Sequence, residues 1–225
     1  GTTIAIANAV APGGEVLGID ISPDLTAAST KRASDADVGN IRFICADASN
    51  VQLPDAPFDR LFSRFGSMFF AEPHQAFANL RSLLRPGARI DLAVWAPPRD
   101  NLWMMEMMGV VRRHVDIPPA VPRAPGPFAF EDLEYLNEVL AAGGFSSPDI
   151  MAYTGQQPVG GVGATAQEAV SFVLSSMAVG KALDEQGTDV RAAAEGELLE
   201  LFAKHHVPNQ GVMMQGKAWL VSAKA

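Results

Sequence analysis

Two aspartates stand where an α/β protein places its ligand chemistry. Asp20 lies at the end of the apolar run EVLGIDI (residues 15–21), and Asp47 directly follows IRFICA (residues 41–46). In an open parallel sheet, ligands lie beyond the carboxyl ends of the strands, where such side chains converge. A carboxylate there offers two oxygens to the paired hydroxyls of an adenosine ribose. Asp20 sits about 20 residues beyond Gly1, the separation expected between a glycine-loop motif and a ribose-binding acid. Acids also cap strand ends with no ligand at all, and the residues alone leave both readings open.

The imidazoles offer less. His74, just past the strand expected at Phe58–Phe65, is the one candidate general base near that end of the sheet. Its place in the first turn of a helix suits a surface residue equally well. His114 follows Arg112 and Arg113 at a helix end, where the dipole favours cations. His205 and His206 are adjacent, so they project apart, and no metal site is expected from them. Cys45, inside a strand, is expected to be buried and inert. A different cluster, Trp103, Met104, Met105, Met107 and Met108, is polarizable and adaptable. With Phe128 and Phe130 it makes either a lid over an apolar ligand or plain core.

Positioning these residues requires a particular order of elements. Thr2–Val10 reads as a short helix stopped by Pro12-Gly13-Gly14, followed by the strand 15–21. Ser22-Pro23-Asp24 then gives a helix its N-cap, its first proline and its favourable acid. Strands follow at 41–46, 58–65 and 89–95, with a helix opening at Glu72-Pro73 between the last two. Beyond Pro97-Pro98 the spacing predicts helices at 101–115 and 131–142 and a strand at 149–154. The capping box Thr165-Ala166-Gln167-Glu168 opens a further helix, another runs from 188 to 204, and KAWLVSA (217–223) closes the chain as a strand. This is an α/β protein with a mostly parallel sheet.

Composition narrows the partners. The 225 residues are 48% hydrophobic, enough for one large domain, and 25 acids against 17 bases give a net charge of −8. Such a chain repels phosphate backbones, so nucleic acid is not an expected partner. The uncharged stretch 150–167 is broken by glycines and Pro158, so no membrane span is expected. A single cysteine fits a reducing, cytoplasmic setting.

In order and spacing, GEVLGIDIS, IRFICADAS, FDRLFSRFGSMFF and LRPGARIDLAVW resemble class I S-adenosylmethionine-dependent methyltransferases, along essentially the whole chain. Leu84-Arg85-Pro86-Gly87 is similar to the family's turn ahead of its fifth strand. The resemblance implies a Rossmann-like sheet with an antiparallel last strand, S-adenosylmethionine as cofactor, and methyl transfer to a small, apolar or aromatic acceptor by in-line displacement. It assigns Asp20 to the ribose, Ile21 to the adenine face, Asp47 to the adenine amino group with Ala48 beside it, and Ser63, Arg64 and Phe65 to the methionine part. Gly1, Thr2 and Thr3 match the end of the glycine-rich loop and the start of its helix. The family's first, central strand and earlier loop glycines have no counterpart in the sequence, so a truncated or weakened fold is expected. Segments of about 97–130 and 160–208 are expected to form a lid carrying Trp103, Met104, Met107, Met108, Phe128 and Phe130. Two alternatives stand beside this: a non-catalytic binding module, and a nicotinamide-dependent oxidoreductase, whose cofactor Asp20 would serve as well.

Overall fold

The computed structural model describes all 225 residues, Gly1–Ala225. In chain order the elements are α1 (Thr2–Val10), β1 (Val16–Asp20), α2 (Pro23–Asp35), β2 (Ile41–Cys45), β3 (Phe58–Arg64), α3 (Pro73–Ser82), β4 (Leu84–Trp95), α4 (Leu102–Val111), α5 (Leu133–Ala142), β5 (Asp149–Val159), α6 (Ala166–Ser176), α7 (Ala178–Asp184), α8 (Thr188–Lys204), β6 (His206–Val207) and β7 (Gly211–Lys224). They gather in two compact units. One comprises Gly1–Leu92, Glu134–Asp149 and Val221–Ala225, the other Ala93–Leu133 and Ile150–Leu220.

In the first unit β1 and β2 pair in parallel, from Val16 opposite Ile41 to Asp20 opposite Cys45. They form a sheet of their own. Fully buried strands are the expectation for such apolar runs, yet every β1 and β2 residue keeps some exposure. The reason is the size of the sheet: with α1 and α2 packed on it, two strands cannot enclose their own side chains. Cys45, expected inside, is exposed at the last position of β2. Ser22 caps α2 as its sequence requires, accepting a hydrogen bond from the Leu25 N–H at 3.3 Å.

The second sheet has the order β3-β4-β7-β5, with β6 paired to β7. β7 runs antiparallel to β4: the Gly87 N–H donates to the Ala225 carbonyl, and the Ala96 N–H to that of Lys217. The Leu84–Gly87 segment, expected as a turn, instead begins β4. Gly87 takes a φ of 78°, and Ala225 hydrogen-bonds both Gly87 and Ala88, the mark of a bulge. β5 and β7 extend well beyond the expected 149–154 and 217–223. In the first unit Phe77 of α3 is fully buried, and its ring meets Phe70 and Phe145 edge-on. Such a ring stabilises by about 1.5–3 kcal/mol on burial.

In the second unit α4, α6, α7 and α8 enclose Met107, Val110, Val173, Leu198 and Phe202 together with Val212 and Met214 of β7. The Thr165–Glu168 capping box is present in both directions. α7 has no expectation behind it. Met177 in extended conformation (φ −118°, ψ 153°) ends α6 and starts α7, a break that an unbroken apolar pattern conceals. No helix of the chain is long and apolar enough to cross a membrane.

Candidate functional site

The parallel pairing of β1 and β2 sets two carboxylates at neighbouring strand ends. The Ala46 N–H donates to the Asp20 carbonyl at 3.0 Å, keeping both chains in step as they leave the sheet. Asp20 is exposed; its Oδ1 accepts the Ser22 N–H at 2.9 Å, which orients the carboxylate and leaves Oδ2 open. Beside it Ile21 is 70% exposed, an apolar side chain with nothing covering it. Asp47 Oδ1 accepts the Ser49 N–H at 2.8 Å. The Ser49 hydroxyl and N–H together hold the Asp47 carboxyl below the usual carboxylate range. Asn79 of α3 donates to the carbonyls of Ala48 and Val51, which pins this loop to the helix behind it.

Gly1 is the N-cap of α1 and no side chain caps that end, so the first amides, those of Thr2 and Thr3 among them, have no intrahelical acceptor. Asn40 ties the helix to the entry of β1 by donating to the Ala7 and Gly14 carbonyls, both at 2.8 Å. At the carboxyl end of β3, Ser63 Oγ accepts the Ser67 N–H at 3.1 Å. Arg64 is exposed, and Phe65 takes a φ of 61°, a left-handed backbone that an aromatic residue rarely adopts and that gathers at functional sites. Ser67 is 2% exposed and its hydroxyl has no hydrogen-bond partner. Sequence reasoning missed Ser67. Its only signal was a serine directly after the Phe-Gly that ends a strand.

These features fit a nucleoside carrying an amino-acid tail. Carboxylate oxygens are free to accept from hydroxyls or an amine, Ile21 is bare for a flat base, and a buried hydroxyl lacks its partner. His74 points elsewhere in its chemistry: its Nε2 lies 3.4 Å from Glu138, and its ring meets Tyr135 edge-on, so it fastens α3 to α5. In the second unit, Met104, Met107 and Phe130 are buried at 9%, 1% and 1% exposure, packed as core and not available as lid. Trp103, Met108 and Phe128 remain partly exposed.

Several other titratable groups pair with one another. His205 Nε2 lies 2.7 Å from Glu106, while Arg113 and His114 both meet Glu197. Two surface clefts, one lined by Asp59, Arg60, Arg85 and Arg89 and the other by Glu106, Arg113, Glu197 and Lys204, are walled by paired charges of both signs. No group of histidine, cysteine and acidic residues is arranged to hold a metal ion.

Residues 1–91 match the family model for a methyltransferase domain. The chain is 28% identical to a demethylmenaquinone methyltransferase of Thermus thermophilus over 151 residues, 60% of this chain and 66% of that one. It is 33% identical to a protein of the same name from Deinococcus radiodurans over 93 residues, 41% of this chain and 38% of that one. The alignments thus span less than two thirds of these relatives. Among solved structures the chain is similar to the YcgJ protein of Bacillus subtilis, with a TM-score of 0.56 at 16% identity, covering 93% of this chain and 82% of that one. It is similar also to phosphoethanolamine N-methyltransferase 2 of Haemonchus contortus, solved with S-adenosylhomocysteine, with a TM-score of 0.53 at 14% identity, covering 100% and 47%. At these identities the two structures share the fold.

Proposed function

We propose that this chain is a class I S-adenosylmethionine-dependent methyltransferase that moves a methyl group to a flat, aromatic or quinone-like small molecule. The observation that carries the reading is the pair of carboxylates, Asp20 and Asp47, at adjacent parallel strand ends beside an uncovered Ile21. On that reading, the acid at Asp20 serves the ribose of S-adenosylmethionine in preference to a nicotinamide dinucleotide. The relatives named for demethylmenaquinone support the acceptor class.

When bound, S-adenosylmethionine would supply an electrophilic methyl, transferred in line to the acceptor as the carbon–sulfur bond breaks and S-adenosylhomocysteine leaves. The chain's own work is then positioning, the larger part of such catalysis. Asp20 Oδ2 accepts from the ribose hydroxyls while Ser22 holds the other oxygen still. Asp47, kept ionised by Ser49, accepts from the adenine amine, and Ile21 covers one face of the base. Ser63, Arg64 and Phe65 border the methionine part, and the open amides at Thr2 and Thr3 favour its carboxylate through the helix dipole. His74 is bound to Glu138 and has no assigned part in proton removal.

Calorimetric titration of S-adenosylmethionine and S-adenosylhomocysteine into the full chain tests this reading. Both bind, and Asp20→Ala weakens them by about 1.5–3 kcal/mol, roughly 10- to 100-fold, the value of a hydrogen bond to a charged group. Unaltered affinity in Asp20→Ala would sink the ribose assignment.

A further inference from the structure

Within the second unit the carboxyl end of β4 meets α4 through one fully buried polar residue. Asn101 is 0% exposed and all its hydrogen-bonding capacity is used. Its Nδ2 donates to the Ala96 carbonyl at 2.9 Å and to that of Pro97 at 3.1 Å. Its Oδ1 accepts the Lys217 N–H at 2.9 Å and the Trp103 indole N–H at 3.2 Å. The amide therefore joins the segment just past β4 to β7 and fixes the plane of Trp103. That indole lies 5.3 Å, centroid to centroid, from Trp95, at a tilt of 51°. Both indoles are half-buried.

Next to this pair stands a polar group with no protein partner. Gln157 of β5 is half-buried, and its amide makes no hydrogen bond within the chain. It lies over Gly216: a Cβ there would come within 3.1 Å of Gln157 Nε2 and 3.3 Å of Asn101 Oδ1. Glycine at 216 leaves room for the saturated amide of Asn101 and for the Gln157 amide, which has no hydrogen bond within the chain, to lie close together. Aromatic faces beside a free amide that both donates and accepts match one ligand chemistry, a planar ring bearing a carbonyl or hydroxyl oxygen.

We propose that Trp95, Trp103 and Gln157 form the acceptor subsite, in which the indoles hold the ring and the Gln157 amide holds a ring oxygen, with Asn101 as the positioning residue for Trp103. The assignment rests on the methyltransferase reading for its purpose, though not for its test. Gln157 is thereby a specificity-determining residue, since its amide favours a ring with an oxygen over the same ring without one.

Equilibrium dialysis of the full chain against two probes separates the roles. One probe is 2,3-dimethyl-1,4-naphthoquinone, whose substituted ring positions resist addition of the exposed Cys45 thiol. The other is naphthalene. Gln157→Ala is expected to weaken quinone binding about five- to tenfold, one neutral hydrogen bond, and to leave naphthalene binding unchanged. Trp103→Leu is expected to weaken both probes, and Trp103→Phe to restore most of the loss. Gly216→Ala, whose Cβ crowds both the Gln157 amide and Asn101 Oδ1, should weaken both probes and the quinone more, with circular dichroism confirming that each variant is folded. A Gln157→Ala effect of equal size on both probes, or on neither, overturns the assignment. Failure of the wild-type chain to bind either probe overturns it too, while calorimetry with S-adenosylmethionine reports independently on the methyltransferase reading.

Discussion

At the scale of single residues, Asn101 shows how a polar side chain can carry a fold. Four hydrogen bonds converge on one amide that no solvent reaches. Removing it leaves the Lys217 N–H and the Trp103 indole N–H without their acceptor in a partly buried setting, where each unsatisfied donor costs more than a bond gained in water would return. Asn101→Ala is therefore expected to destabilise the chain by about 2–4 kcal/mol, read from urea unfolding. A cost below about 0.5 kcal/mol would show that water replaces the amide. Nothing in the sequence marks this residue, because a lone asparagine between Asp100 and Leu102 reads as a helix cap. Its importance arises from partners in the segment just past β4 and in β7 that only the fold brings together. Asp20 and Asp47 are the opposite case, since an apolar run ended by an acid locates both without any tertiary information. Phe65 and Ser67 fall between: their place after β3 is legible, but a left-handed φ at an aromatic and an unpartnered hydroxyl are not.

At the scale of elements, the helices with explicit start signals were the legible ones. Ser22-Pro23 and Thr165–Glu168 each announce a first turn, and both caps form. The strands were located but measured short, because polar residues such as Gln156, Gln157 and Gln215 interrupt the apolar alternation while their backbone continues the ladder. The Thr165 cap gives a prediction with a pH sign. Glu168 is held below its usual carboxyl range first by the Thr165 N–H and then by the Thr165 hydroxyl. A depressed native value stabilises above the ordinary value of 4.5, and the contribution fades as pH falls through the native one. Thr165→Ala should cost about 1 kcal/mol at pH 7. Glu168→Gln should be less stable than wild type at pH 7 and indistinguishable from it near pH 2. Urea unfolding at both pH values checks the pair; a Glu168→Gln deficit that persists in acid would assign the loss to something other than the carboxylate.

At the scale of the whole molecule, burial is distributed unevenly, and the strands that carry the proposed cofactor residues Asp20 and Asp47 are less buried than β4 and β7. β4 is built on Ile90, Leu92 and Val94, exposed at 0%, 2% and 0%, and β7 on Val212 and Met214 at 0% and 1%. No residue of β1 or β2 is buried to that degree, although both strands are equally apolar in sequence. Local stability follows buried apolar contact and shielded backbone hydrogen bonds, so the chain should open in a fixed order. Native-state hydrogen exchange is expected to show amides of residues 16–20 and 41–45 exchanging at least tenfold faster than those of residues 90–94 and 212–214. S-adenosylmethionine, through Asp20 and Asp47, would bind the closed form of this region alone. Ligand that binds only the closed form stabilises it by mass action. Saturating cofactor should therefore slow exchange across residues 16–21 and 41–49 selectively, leaving 212–214 unchanged. Equal protection of β1, β2 and β4 without cofactor would mean that the two-stranded sheet is sheltered more than its exposure implies. Protection by cofactor confined to β7 would move the ligand away from Asp20 and Asp47, and with it the chemistry assigned to those strand ends.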